Sequence, residues 1–267
     1  MSQTNILKVG ILPHAEKTPF ADFIHQTLSE GNIDAEFQYF SYAKDAVKAV
    51  LEGDIAAYAC PFHFTPIELP MGLVIAALSK RKSAQTCLVH SLAEQRVDKK
   101  VFTHSDIDCS IMQYLQPNYD VKKNDQPISN MICLQSAQCD AVVMSSSDTE
   151  ILSLGAEWVI QPFSVREFTP AAGQGVACFI TNEEDLTTRR LLKTIHHPSV
   201  SAVTNIERTV QKMLLSHSVN AYCERDTMGN YHLWAAAVIN GELRKTRVSQ
   251  STTFGMAEKA VEQLLSA

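Results

Sequence analysis

Apolar runs of strand length alternate with amphipathic stretches along the first half of the chain. The runs at 7–12, 35–42 and 54–60 are separated by stretches with helical spacing, so the order is β-α-β-α-β. This order is typical of an α/β fold with a parallel, doubly wound sheet. A further apolar run covers 69–78, and the strand–helix–strand pattern restarts after residue 82. The pattern therefore predicts two successive α/β lobes.

The last third of the chain has a different pattern. Residues 185–197 and 201–215 show helical spacing, three strand-like segments joined by turns follow, and 253–267 is predicted to be a closing helix. We therefore expect two binding-protein-like, doubly wound lobes with a hinge and a cleft between them, plus a small α+β C-terminal domain. The expected boundaries are 1–80 with 176–197 for domain 1, 81–175 for domain 2 and 198–267 for domain 3.

Composition narrows the class of protein. The chain has 267 residues, 45% of them hydrophobic, and a formal net charge of −6, so a nucleic-acid binder with a basic excess is not expected. No apolar run reaches membrane-spanning length, and no secretory signal is expected before the first strand. Seven cysteines without tight pairing favour a reducing cytoplasm. No C-x-x-C or H-x-x-x-H pair is present, so we expect no metal site. We also expect a cytoplasmic monomer.

One short segment, FTPAAGQGVACFIT at residues 168–181, concentrates small residues before an apolar strand. In it, Gly173 and Gly175 flank Gln174. Glycine relaxes the backbone where it turns tightly or meets a ligand closely, so Gln174 is expected on a bend. The bend is either a hinge turn kept for folding or a ligand contact formed by Gln174 and Gly175, and the sequence leaves both open.

The same segment carries a resemblance to a known family. The sequence PAAGQGV, followed by a helix, a histidine pair and TNIERT, is similar to the hydroxymethylbilane synthase family, also called porphobilinogen deaminase, which carries P-A-x-G-Q-G. Weaker similarities, among them GDIAAY and CDAVVMS, are collinear over nearly the whole chain. The matching residues are Pro170, Ala171, Gly173, Gln174, Gly175, His196, His197, Glu207 and Arg208.

This resemblance implies a three-domain transferase of tetrapyrrole biosynthesis. The family joins four porphobilinogens into a linear tetrapyrrole and grows the chain on a dipyrromethane cofactor, which a cysteine thioether holds. Arginines in its cleft bind the carboxylates of the growing product, and an aspartate assists protonation of the pyrrole.

The chain departs from the family pattern at each of these points. Ser218 is nearest to the position of the cofactor cysteine, and a hydroxyl without an activating base is a far weaker nucleophile than a thiol. No acid stands between Asp54 and Pro66, where the family carries its aspartate. Ile107 and Asp108 replace two family arginines. We therefore expect a catalytically degenerate protein without a dipyrromethane cofactor.

Three further residues are candidates for contacts with a small ligand. Thr103 and Ser105 precede a predicted helix with Asp106 as its expected cap, and this helix start either binds a small anion or is simply capped. His63 is either a general acid or base, or a loop histidine packed on aromatic rings. Catalytic residues stay unassigned.

Two functional hypotheses follow. The first is a porphobilinogen deaminase-like protein that has lost the family mechanism. The alternative is a non-catalytic module that holds a small anionic ligand in the interdomain cleft, less acidic than the family product, or serves a protein partner. A different enzyme built from His63, Thr103, Ser105 and Gln174 has no support from triad-like spacing.

Overall fold

The structure, a computed structural model, describes residues 6–12, 19–93, 97–124, 133–147 and 157–266. The chain divides into two compact units, which consist of residues 1–82 with 175–201 and of residues 83–174 with 202–267. Within the described ranges, no helix is both long enough and apolar enough to cross a membrane. The separation of a third domain at residue 198 stays a prediction.

The first unit is built on a five-stranded sheet in the order β2-β1-β3-β10-β4. The strands are β1 (Leu7–Ile11), β2 (Ala35–Tyr39), β3 (Ala57–Pro61), β4 (Leu73–Leu78) and β10 (Ala177–Asn182). β1 pairs in parallel with β2 and β3, whereas β10 runs antiparallel to both β3 and β4. The α/β class is confirmed, but the sheet is mixed, because the strand that follows the glycine bend enters between β3 and β4 in the opposite direction.

Helices cover both faces of this sheet. They are α1 (Pro19–Glu30), α2 (Ala43–Glu52) and α4 (Leu186–Leu192). One core cluster packs Val9 and Phe179 against Ile24 and Leu28 of α1, and a second packs the other face against α2. Because the strands are buried on both faces, they form nearly continuous apolar runs in the sequence.

The second unit contains a sheet with the same arrangement, in the order β7-β6-β8-β5-β9. Its strands are β5 (Thr86–Ser91), β6 (Lys100–Thr103), β7 (Asp120–Lys123), β8 (Ala141–Ser145) and β9 (Trp158–Pro162), and α3 (Asp106–Leu115) follows β6. β6 is parallel to β7 and β8, and β5 is antiparallel to β8 and β9. The sequence pattern did not predict β5. Residues 126–138 have a helical pattern and are predicted to form a helix. Most of this range lies outside the described residues.

The second unit also contains an antiparallel sheet of β11 (Val219–Arg225), β12 (Tyr231–Ile239) and β13 (Glu242–Gln250). Leu233, Ala235 and Ala237 of β12 pack against α5 (Pro198–Met213) and α6 (Met256–Ser266), while Ala236 on the opposite face joins the core around α3. The three strands and the closing helix agree with the sequence pattern. Phe254 is 91% exposed, because it lies in the loop before α6.

Candidate functional site

The bend at residues 173–175 has the geometry that its glycines predict. Gly173 and Gly175 have φ angles of +79° and +76°, in the left-handed region that other residues adopt only at a cost. Both glycines and Gln174 between them are buried. The amide of Gln174 closes the turn by donating to the carbonyl of Ala171 at 3.0 Å.

Hydrogen bonds within the second unit occupy the side chain of Gln174. Its Nε2 donates to the carbonyls of Ala84 and Gln85 at 2.8 and 3.2 Å and lies 3.2 Å from the hydroxyl of Thr86. Its Oε1 accepts from the amide of Ala171 at 3.3 Å. With the side chain only 7% exposed, Gln174 fastens the bend to the segment that leads into β5.

Glu207 fastens the same bend from α5. One carboxylate oxygen accepts from the amide of Gly173 and the other from the amide of Cys223, both at 2.8 Å. The side chain is fully buried, and it lies in the middle of α5. The carboxylate therefore joins a helix, a strand and the bend through backbone donors.

The histidine pair after α4 bonds to the backbone of β4. Nδ1 of His196 accepts from the amide of Leu78 at 3.1 Å, and the amide of His197 donates to the carbonyl of Leu78. Burial lowers the pKa of His196, which favours the neutral ring that can accept this bond.

At the start of α3, Ser105 rather than Asp106 is the N-cap, since its Oγ accepts from the amide of Asp108 at 3.1 Å. Thr103 is fully buried, and its hydroxyl donates to the carbonyl of Ser105 at 3.2 Å and lies 2.9 Å from Sγ of Cys109. The two hydroxyls thus stabilise the turn itself. The anion contact at this helix start stays a prediction.

The carboxylate of Asp108, in the first turn of α3, bonds to the C-terminal sheet. Oδ1 accepts from Nδ2 of Asn220 at 2.9 Å, and the same amide donates to the carbonyl of Thr169. Burial raises the pKa of Asp108, although hydrogen bonds from Ser105 and Asn220 oppose the shift. The second unit therefore holds a half-buried acid at the start of α3.

Replacing Asp108 with asparagine is expected to stabilise the protein increasingly as the pH rises. A raised folded-state pKa means that the wild type loses stability from about pH 4 upward through the folded pKa, because the unfolded carboxyl ionises more easily. Asparagine can still accept from Asn220 but has no proton to lose. Urea unfolding of both proteins across this pH range measures the difference, and a difference that does not change with pH would contradict the prediction.

The carboxyl ends of the first unit's parallel strands carry aromatic side chains. Tyr39, Tyr42 and Phe64 are exposed there, and Nζ of Lys44 lies 5.3 Å from the centre of the Tyr42 ring. His63 lies in a 3-10 turn after β3, with its ring centre 4.0 Å from that of Phe64. Ligands of open α/β sheets bind at this strand edge, which is aromatic here.

A depression of about 570 Å³ lies at the opposite, amino end of the same strands. Lys8, Asp54, Glu184 and Asp185 are among its lining residues, and none of the residues predicted as ligand contacts lines it. Within the described residues, no group of three or more His, Cys, Asp or Glu side chains is arranged to hold a metal ion.

Ser218 and Cys223 are the two candidate side chains for the attachment of a thioether-linked group. Ser218 is half-buried immediately before β11, and its carbonyl accepts from the amide of Val238. The ring of the neighbouring His217 bonds to Oγ of Ser216 at 3.0 Å. Cys223, the one cysteine in the sequence after residue 178, is fully buried in the core between the sheet and its helices. These residues do not fit a cofactor that needs an accessible thiol.

His232 lies on the other face of the C-terminal sheet in a chain of hydrogen bonds. Its Nε2 bonds to Oδ2 of Asp226 at 3.0 Å, and its Nδ1 lies 2.8 Å from Oγ of Ser249 and 3.4 Å from Nη2 of Arg247. Because a guanidinium can only donate, Nδ1 accepts and Nε2 carries the proton. The hydrogen bond from His232 lowers the pKa of Asp226 to about 2.

The protein is expected to lose stability as the pH falls from about 4 to about 2, in part through Asp226. A depressed folded-state pKa contributes stability above the unfolded value, and this contribution disappears as the folded carboxylate is protonated. The Asp226→Asn variant should show a smaller loss over the same range. Thermal unfolding between pH 2 and 5 measures both, and parallel curves would contradict the prediction.

Known proteins that are similar to this chain identify its family. The model of the family described as porphobilinogen deaminase, dipyromethane cofactor binding domain, matches residues 38–190, more than half of the chain. The chain belongs to the porphobilinogen deaminase family. The matched range contains the glycine bend and the start of α3, and the resemblance to the family is confirmed.

Curated porphobilinogen deaminases are similar to this chain at low identity. The protein of Desulforamulus reducens is 26% identical over 229 residues, which cover 83% of this chain and 72% of that protein. The probable enzyme of Methanothermobacter thermautotrophicus is 27% identical over 65% of this chain. For this relative and for that of Fusobacterium nucleatum, the match spans 60% and 62% of their length, less than two thirds.

Solved structures similar to this chain include two-lobed periplasmic proteins. A periplasmic binding protein of Salmonella typhimurium with high arginine specificity matches with a TM-score of 0.47 and 10% identity, over 75% of this chain and 93% of that chain. The VFT2 domain of Bordetella pertussis BvgS, as a double mutant, matches with a TM-score of 0.46 and 15% identity, over 76% and 90%.

Proposed function

We propose that this chain is a porphobilinogen deaminase-family protein of tetrapyrrole biosynthesis that binds its ligand without a covalent cofactor and does not polymerise porphobilinogen by the family mechanism. The observation that carries the proposal is the burial of Cys223. It is the one thiol in the C-terminal part of the sequence, and its side chain is enclosed by α5, α6 and β12.

A thioether forms only when a thiolate reaches an electrophile. A thiol in an apolar core is neither ionised nor accessible, so Cys223 is expected to be inert. Ser218 offers a hydroxyl, which needs a base within hydrogen-bond reach to attack, and the nearest imidazole in the sequence, that of His217, bonds to Ser216 instead. Neither residue supplies the chemistry of the missing cysteine.

The charge at the start of α3 supports the same conclusion. A family product that carries many carboxylates is held by guanidinium groups, which bind carboxylates in a bidentate manner. At the matching position Asp108 is half-buried and bonded to Asn220. It supplies no guanidinium, and its carboxylate, once ionised, would repel a polyanion.

Purified protein is therefore expected to have the mass of the bare polypeptide, to give no colour with acid Ehrlich reagent and to produce no uroporphyrin from porphobilinogen. The enzyme of Desulforamulus reducens, treated identically, is the positive control. A pyrrole adduct on the wild type would contradict the proposal. The Cys223→Ser and Ser218→Ala variants would then show which side chain holds the adduct.

The alternative function, a binding module without catalysis, is favoured by the aromatic edge of the first unit. Tyr39, Tyr42 and Phe64 expose ring surface where ligands of such sheets bind, and one ammonium group, that of Lys44, lies beside them. This edge suits a small, weakly acidic aromatic ligand. Equilibrium dialysis with porphobilinogen tests the binding module: binding without uroporphyrin formation supports it, and no binding contradicts it.

A further inference from the structure

Arg166 and Arg247 both lie over the indole ring of Trp234, on the face of the C-terminal sheet opposite α5 and α6. The register places Tyr222 of β11, Trp234 of β12 and Arg247 of β13 side by side. Cζ of Arg247 lies 5.2 Å from the centre of the indole ring, and Cζ of Arg166 lies 5.9 Å from it. Tyr222 stacks at 6.0 Å, and Trp234 is only 5% exposed although both arginines are exposed.

The backbone of Arg166 is held by a hydrogen bond from Lys245. Nζ of Lys245 donates to the carbonyls of Arg166 and Glu167 at 3.1 and 2.6 Å, and so ties their turn to β13. Arg247 is held in the sheet and lies beside His232. The backbone that carries each guanidinium is therefore held in place, which reduces the entropy lost when a ligand binds.

Neither guanidinium makes an ion pair with a carboxylate in the described part of the chain. The nearby acids have donors of their own. Glu167 accepts from the hydroxyl and the amide of Ser164 at 2.7 and 3.2 Å, and Glu224 accepts from the hydroxyl of Tyr222 at 3.1 Å. Two cationic groups therefore lie on one indole ring, neither of them in an ion pair, on a chain whose net charge is −6.

We propose that Arg166 and Arg247, stacked on Trp234, form a binding site for an oxyanion, a carboxylate or phosphate group. Stacking uses the flat face of a guanidinium and leaves its N–H edge available for bidentate hydrogen bonds. An oxyanion that accepts from these edges would supply the counter-charge that neither arginine has in an ion pair. None of these three residues belongs to the aromatic strand edge or to the candidate attachment residues Ser218 and Cys223.

Fluorescence titration tests this site in a Trp158→Phe protein, in which Trp234 is the one tryptophan. Pyrophosphate and citrate at constant ionic strength are the two probes, and the tighter one identifies phosphate or carboxylate as the preferred group. Arg247→Ala and Arg166→Ala are each expected to weaken binding about ten-fold or more, as for other charged hydrogen bonds. Arg247→Lys keeps the charge but loses the fork, so it should also weaken binding.

Arg225→Ala is the matched control. It removes the same charge from the same sheet, but Arg225 stacks on Tyr231 at 5.4 Å and bonds to the carbonyl of Gly229. Its binding constants should stay within about two-fold of the parent, because surface changes away from a site have small effects. Equal weakening by Arg225→Ala, or no saturable signal with either probe up to about 10 mM, would overturn the proposal.

Discussion

Replacing Glu207 with alanine is expected to lower the free energy of unfolding by about 3–5 kcal/mol, because two buried amide donors lose their acceptor at roughly 1–3 kcal/mol each. The donors are the amides of Gly173 and Cys223, both 2.8 Å from the carboxylate oxygens. Since the side chain is fully buried, water cannot take the place of the carboxylate without opening the core between α5 and β11. Urea unfolding at neutral pH measures the loss.

Two variants sharpen this test. Glu207→Gln keeps one carbonyl oxygen but turns an N–H group toward the second donor, so it should cost about 1–3 kcal/mol, between wild type and alanine. Glu262→Ala removes an exposed glutamate from α6 and should change stability by less than about 0.5 kcal/mol. If Glu207→Ala is as stable as Glu262→Ala, the bend is held by other contacts.

Replacing Gln174 with alanine is expected to cost about 2–4 kcal/mol of unfolding free energy, again through groups left without partners. The carbonyls of Ala84 and Gln85 lose a donor, and the amide of Ala171 loses an acceptor. Gln174→Glu has nearly the same shape but places a carboxylate against two carbonyl oxygens, so it should destabilise at least as much at neutral pH. Thermal and urea unfolding measure both variants.

Gln113→Ala is the control for Gln174. Gln113 is exposed on α3 and makes one hydrogen bond, to the carbonyl of Pro117. Its removal should change stability by less than about 0.5 kcal/mol. A Gln174→Ala protein that is as stable as the wild type but binds ligand differently would instead favour the hypothesis that Gln174 contacts a ligand.

Much of the fold could be predicted because its local signals agree with its tertiary structure. The apolar run at residues 7–12 became β1, with a difference of one residue, and the helix predicted after the THS sequence begins at Asp106. Strand β5 was missed because TCLVHS is short and mixes apolar with polar residues, yet it occupies an inner position of its sheet. Burial by neighbouring strands, not local sequence, makes this segment a strand.

The candidate site was harder to predict than the fold. A glutamate in an amphipathic helix usually faces solvent, so nothing local marks Glu207 as buried; its two partners are 34 and 16 residues away in the sequence. The one available signal was the resemblance, since Glu207 and Gln174 both belong to the family motif. The grouping of Arg166, Trp234 and Arg247 has no such signal, because Arg166 lies far in sequence from the hairpin that carries Trp234 and Arg247.

The place of β10 between β3 and β4 also sets the order in which the first sheet can form on the ribosome. β4 has no neighbour in the sheet except β10, which lies about a hundred residues later in the chain. During synthesis, the amino-terminal strands can assemble early, while β4 presents unpaired backbone groups until residue 182 has emerged. Nascent chains stopped before that residue should therefore be the form most prone to aggregation or most dependent on chaperones.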